Sequence, residues 1–185
     1  PPFSRKIAIE IIEDEFGTSI DSIVSQFSEP IAAASIAQVH FAKIKSSNTE
    51  IDVAVKVLRP EIEKIINQEM ERLEWLTTFM ENFTEFQRLR PNSIIKKAKE
   101  VIKFELDLRY EAAAASELSE NTNMDESFYV PNVYWDKVTQ KVLTMEKIIG
   151  VPADKIDELN EKKVNKKQAA ENLIINFLRQ SIRDG

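Results

Sequence analysis

Ile51-Asp52-Val53-Ala54-Val55-Lys56-Val57-Leu58-Arg59-Pro60 is the stretch on which the fold turns. β-Branched residues crowd Ile51 to Leu58 and Pro60 closes the run, so the segment reads as a strand. In an extended chain Val53 and Val55 face one side while Ala54 and Lys56 face the other. Upstream, Ile36-Ala37-Gln38-Val39-His40-Phe41-Ala42-Lys43-Ile44 tends to alternate as a half-buried strand does, and Lys45 to Glu50 is turn-like. The two strands together predict a hairpin.

Helical patterns lie on both sides. Ser4 is placed to cap a helix carrying Ile7, Ile11, Ile12 and Phe16, which Gly17 ends. A shorter helical turn is expected over Asp21 to Phe27, with Pro30 breaking the pattern. Beyond the hairpin, Pro60 opens a helix with Ile62, Ile65, Ile66, Met70, Leu73, Leu76, Phe79 and Met80, mostly three or four apart. Pro91-Asn92 interrupts it, and a second long helix is expected from Ser93 to Leu118. Two short strand candidates follow: Phe128 to Trp135, broken by Pro131, and Lys141 to Met145, with Asp136 to Gln140 as the turn between them. Gly150 and Pro152 mark a boundary before a helical tail. The order predicts an α+β fold, a small antiparallel sheet flanked by helices.

Composition narrows the function. The 185 residues suit one domain or one lobe of a larger protein. With 25 Lys and Arg against 31 Asp and Glu, the net charge of −6 argues against nucleic acid, whose phosphates need a basic surface. No apolar run is long enough to span a membrane. The absence of cysteine removes disulfides, thiolate zinc sites and thiol nucleophiles, and a single histidine, His40, excludes a multi-histidine metal site. Pro1-Pro2-Phe3 has no signal-peptide character, and both ends look cut from something longer.

Four constellations could carry chemistry. Lys56 beside Ala54 on one strand face could hold a phosphate while a planar ring lies over the alanine; a strand-end lysine reaching into water is the plain alternative. Glu105, Asp107 and Glu111 fall on the second long helix next to Ala112 to Ala115. One of them could pair with Lys56, or all three could form a solvated acidic face with Arg109 as counter-ion. Ala32-Ala33-Ala34-Ser35 precedes the first strand where a phosphate-binding loop would use glycines, and tight packing explains it equally. Val142 to Lys147, running toward Gly150, could offer backbone groups to a planar base or be an ordinary edge strand. For His40, next to Gln38, a structural hydrogen-bonding role is expected.

These pieces occur in a telling order. Ala32-Ala33-Ala34-Ser35-Ile36-Ala37-Gln38-Val39-His40, then Val53-Ala54-Val55-Lys56-Val57-Leu58-Arg59-Pro60, then Glu105-x-Asp107-x-Arg109-x-Glu111-Ala112-Ala113, then Val130-Pro131 to Leu143-Thr144-Met145-Glu146, closely resembles the UbiB-type protein-kinase-like family, atypical kinases linked to ubiquinone biosynthesis. The resemblance covers essentially the whole chain. It implies a protein-kinase-like N-terminal lobe with about five strands and family-specific helical additions over residues 1–150, and the start of a helical C-terminal lobe over 151–185. By resemblance, Lys56 is the nucleotide-phosphate lysine and Ala32, Ala33, Ala34 and Ser35 form the Ala-rich loop that replaces the kinase Gly-rich loop. Glu105 and Asp107 match the E-x-D motif, and Met145 and Glu146 sit at the hinge that meets adenine; Ala54 stays the residue a planar ring could lie over. Glu111 is the expected partner of Lys56, with Glu105 as the alternative.

The resemblance further implies ATP or ADP with Mg2+ and a nucleotide-binding role in an atypical kinase or ATPase that supports quinone biosynthesis. Proteins of quinone biosynthesis or lipid precursors would be its partners. Its place would be the cytoplasmic side, associated with the inner membrane in the full-length protein. The family's K-x-G-Q motif, the catalytic loop and the D-F-G magnesium motif are missing, so this stretch alone is expected to be inactive. A non-catalytic scaffold or binding module is the second reading, with the face of Leu73, Trp75, Leu76 and Phe79 as its surface, although such a face is more often core. A plain helical interaction protein, without hairpins, is a weaker third.

Overall fold

Residues 2–46 and 49–184 are described by the structure, a computed structural model. Its centre is an antiparallel sheet in which Gln26–Ala33 (β1), Ala37–Ser46 (β2), Thr49–Leu58 (β3) and Val142–Glu146 (β4) lie side by side in chain order. Arg5–Phe16 (α1) and Ile20–Ile23 (α2) precede it. Ile62–Met80 (α3), Thr84–Gln87 (α4), Pro91–Glu105 (α5) and Leu108–Asn121 (α6) lie between β3 and β4, and Ile156–Glu161 (α7) and Lys166–Arg179 (α8) follow. The α+β architecture is as expected, with four strands where about five were anticipated.

The β2–β3 hairpin keeps one register from Ala37↔Leu58 to Ser46↔Thr49, so both strands run into the expected turn. Ser47 and Asn48 lie outside the described residues. β-Branched alternation explains the length: Val53, Val55 and Val57 are buried on one face, while Ala54 and Lys56 are half-exposed on the other. Under the first face, α1 and α2 close a core of Ile12, Val24, Ala42, Ile44, the three valines and Val142. Ser4 caps α1 by accepting the Ile7 amide at 3.4 Å, and Gly17 ends it in the left-handed region at φ 64°. A side chain there would be strained. On the opposite face Leu108 and Ala112 of α6 pack with Ala37, Leu58 and Leu143.

Four expectations are corrected. The segment expected as a helical turn through Phe27 shortens to α2, and β1 begins at Gln26, carrying Ala32 and Ala33 as strand residues. Pro30 does not end the pattern, because β1 is an edge strand whose register shifts on both sides of the proline, where a missing N–H is tolerated. The second long helix breaks at Leu106-Asp107: Leu106 turns into the core, the Leu108 amide donates to the Gln140 carbonyl at 2.9 Å, and Asp107 becomes an N-cap. Of the strand expected over Phe128 to Trp135, only Val133 bridges to Met145, and Trp135–Lys137 forms a short 3-10 turn. On α3, Trp75 (72% exposed) and Phe79 (53%) face outward, so that stripe is not core.

Candidate functional site

β3 fixes the site because its register sets two rows across the open sheet face. Phe41, Ala54 and Met145 lie in one row, and Val39, Lys56 and Leu143 in the next. Val39, Phe41, Ala54 and Met145 are only half-buried, so α6 leaves this end of the face uncovered. Ala54, the small residue between a phenylalanine and a methionine, leaves a shallow recess in that row. The Lys147 ammonium lies 4.3 Å from the Phe41 ring centroid, a cation–π contact at the edge of the recess.

Lys56 meets α6 here. Its Nζ donates to both Glu111 carboxylate oxygens, at 2.9 Å and 2.6 Å, so Glu111 and not Glu105 is its partner. The seat is Ala112, with no exposed surface, whose small side chain lets α6 approach the sheet closely enough for the neighbouring glutamate to reach the lysine. The Glu111 side chain is 43% exposed, so the pair contributes only about 0–1 kcal/mol to stability. Its consequence is geometric: an ammonium held at a fixed point beside the recess.

Asp107 and Glu146 are engaged elsewhere. Asp107 accepts the Arg109 amide at 3.1 Å and the guanidinium through two further contacts at 2.8 Å and 2.6 Å. That hydrogen bonding holds its carboxyl below the usual aspartate range, burial opposing. Glu105 is exposed at the end of α5. Glu146 accepts the Tyr129 hydroxyl and both nitrogens of Asn132, and the tyrosine contact leads in lowering its pKa while raising that of Tyr129. The Glu146 amide donates to the Asn132 carbonyl at 2.8 Å, so the expected adenine-facing strand end is internally braced, with Met145 the residue that faces the recess.

Ala34 and Ser35 form the turn between β1 and β2, all four residues from Ala32 to Ser35 are exposed, and none has a positive φ. The turn is closed by the Ala34 amide on the Ala37 carbonyl at 2.8 Å. No glycine is needed, because the hairpin reverses without left-handed backbone. Arg59, Phe41, Tyr129 and Asn132 were given no site role by sequence, and Lys147 only as the end of the Val142 to Lys147 segment; the strand register places Phe41 beside Ala54, and no local pattern signals it. His40 is structural: fully buried, its Nδ1 meets the Ser28 carbonyl at 2.8 Å and its Nε2 the Gln38 amide nitrogen at 2.9 Å.

A cleft of about 770 Å³ between α1, the start of α3 and the α5–α6 break does not include Lys56. Among the described residues no three His, Asp or Glu side chains converge as a metal site. None of the described helices is long and apolar enough to cross a membrane.

The ABC1 atypical kinase-like domain, as a family, matches residues 1–185. A protein called probable protein kinase UbiB from Pseudomonas paraeruginosa is 38% identical over 186 residues, covering 100% of this chain and 34% of that protein. Its namesake from Pseudomonas entomophila is 39% identical with the same coverage. Among solved structures, Rv3197 from Mycobacterium tuberculosis, in complex with erythromycin, superposes with a TM-score of 0.70 at 26% identity, over 85% of this chain and 39% of that one. The chain spans about a third of the length of the curated relatives it matches.

Proposed function

The chain belongs to the ABC1 atypical kinase-like family, and from that premise we propose that it forms the nucleotide-binding lobe of a UbiB-type kinase or ATPase supporting ubiquinone biosynthesis. The observation that carries this reading is the Lys56–Glu111 pair beside the Ala54 recess. The base of ATP or ADP lies over Ala54 between Phe41 and Met145, and its phosphates meet the Lys56 ammonium, which Glu111 orients. Such transfer depends on positioning and charge neutralisation more than on covalent chemistry by the protein. Mg2+ would supply charge neutralisation at the phosphates, but the carboxylates here do not fit it: Glu111 is taken by Lys56 and Asp107 by Arg109. No step is therefore assigned to it.

Residues 1–150 form the lobe and 151–185 begin a second, helical one, with the catalytic and metal-holding residues supplied from beyond the stretch matched here. Association with the cytoplasmic side of the inner membrane, and with quinone-biosynthesis proteins or lipid precursors, belongs to the same proposal. In the full-length protein Lys56→Ala is expected to abolish nucleotide binding and ATP hydrolysis; normal values for both reject the role. A non-catalytic scaffold is the second reading, favoured by the exposed Leu73, Trp75, Leu76 and Phe79 on α3. Nucleotide affinity in the wild-type protein separates the two.

A further inference from the structure

The Ala-rich turn lacks the glycines that let a phosphate-binding loop flex, and one side chain does the holding. Arg59 stands one residue past β3 and three past Lys56. Its amide donates to the Ile36 carbonyl at 2.8 Å, while Nε and one terminal nitrogen both reach the Ala34 carbonyl, at 3.2 Å and 2.9 Å. Three hydrogen bonds from a single residue thus span the turn from its first carbonyl to its last. Two of them come from a planar, charged fork that a lysine cannot reproduce.

The strand geometry makes this clasp relevant to the site. Ala37, which ends the turn, pairs with Leu58, and Val39 pairs with Lys56. The clasped turn therefore begins two residues, or roughly 7 Å, along the sheet from the lysine. A guanidinium on the Ala34 carbonyl also offsets that carbonyl's partial negative charge. We infer that Arg59 is a positioning residue that fixes the Ala-rich turn against β3 and thereby sets how the phosphate-bearing end of a ligand is held. The second half of this inference rests on the nucleotide reading above; the first half does not.

Two variants test it in the full chain, Arg59→Lys, which keeps the charge and loses the fork, and Arg59→Gln, which loses both. Hydrogen exchange at the Ala34 and Arg59 amides, each bonded across the turn, reads the clasp. It is expected to quicken about tenfold in both variants, as the loss of one or two charge-assisted bonds implies. Affinities for ADP and for adenosine read the consequence: ADP is expected to bind about tenfold more weakly and adenosine within twofold of wild type. Unchanged exchange overturns the positioning role, and an equal loss for ADP and adenosine overturns its link to phosphate. Should the wild-type chain bind no ADP, the nucleotide reading fails by itself, and the exchange rates still decide for or against the clasp.

Discussion

Ala112→Leu tests whether the seat of α6 sets the lysine pair. Ala112 has no exposed surface and packs against Ala37, Leu58, Leu108 and Leu143. A leucine there overpacks the contact, at a cost of about 1–3 kcal/mol. The helix can relieve this only by retreating. Since Lys56 Nζ sits 2.6 Å and 2.9 Å from the Glu111 oxygens, a retreat of about 1 Å carries both contacts past hydrogen-bond range. The lost pair adds no more than about 1 kcal/mol, because Glu111 is substantially solvated. Urea unfolding is therefore expected to show a loss of about 1–4 kcal/mol with an unchanged slope, and amine acylation at Lys56 is expected to quicken. A variant within about 0.5 kcal/mol of wild type refutes the packing argument. One that is destabilised while Lys56 reacts at the wild-type rate refutes the link between seat and pair.

Three further outcomes follow from other parts of the molecule. Burial pushes the His40 pKa below its ordinary 6.5, outweighing the Ser28 carbonyl and Glu29 that favour the cation; the unfolded chain then binds the proton more readily. Stability is expected to be full above pH 6.5 and to decline as pH falls through the interval below it, a slope that His40→Gln removes in pH-dependent urea titrations. Asp107→Ala removes the α6 cap and is expected to cost about 0.5–2 kcal/mol in thermal or urea unfolding. Asp125, 8% exposed, receives Arg179 at 2.9 Å and Arg183 at 3.0 Å; Asp125→Asn is expected to cost about 1–3 kcal/mol and to quicken hydrogen exchange across α8.

The parts of this fold legible in the sequence were those where one residue type decides one feature. Alternation specifies β2 and β-branched residues specify β3, Ser4 and Gly17 bound α1, and the alanines after Glu111 announce a close helix–sheet approach. β1 was hidden because proline and alanine carry little strand propensity, and only pairing with β2 makes the segment extended. The break at Leu106-Asp107 was hidden for the opposite reason. Apolar periodicity continues through it, and the cap forms only because Leu108 finds the Gln140 carbonyl, some thirty residues along the chain. The outward aromatics of α3 show that helical periodicity identifies a face without identifying what covers it.

Methyl NMR during ADP titration probes the recess itself. Resonances of Ala54 and Met145 are expected to move with the nucleotide while those of Val53 and Val55, on the α1 side of the same strands, stay within a small fraction of that change. Lys56→Ala should suppress the movement. Nucleotide binding that shifts only the α1 side, or that leaves Ala54 and Met145 still, contradicts the assignment of the open sheet face.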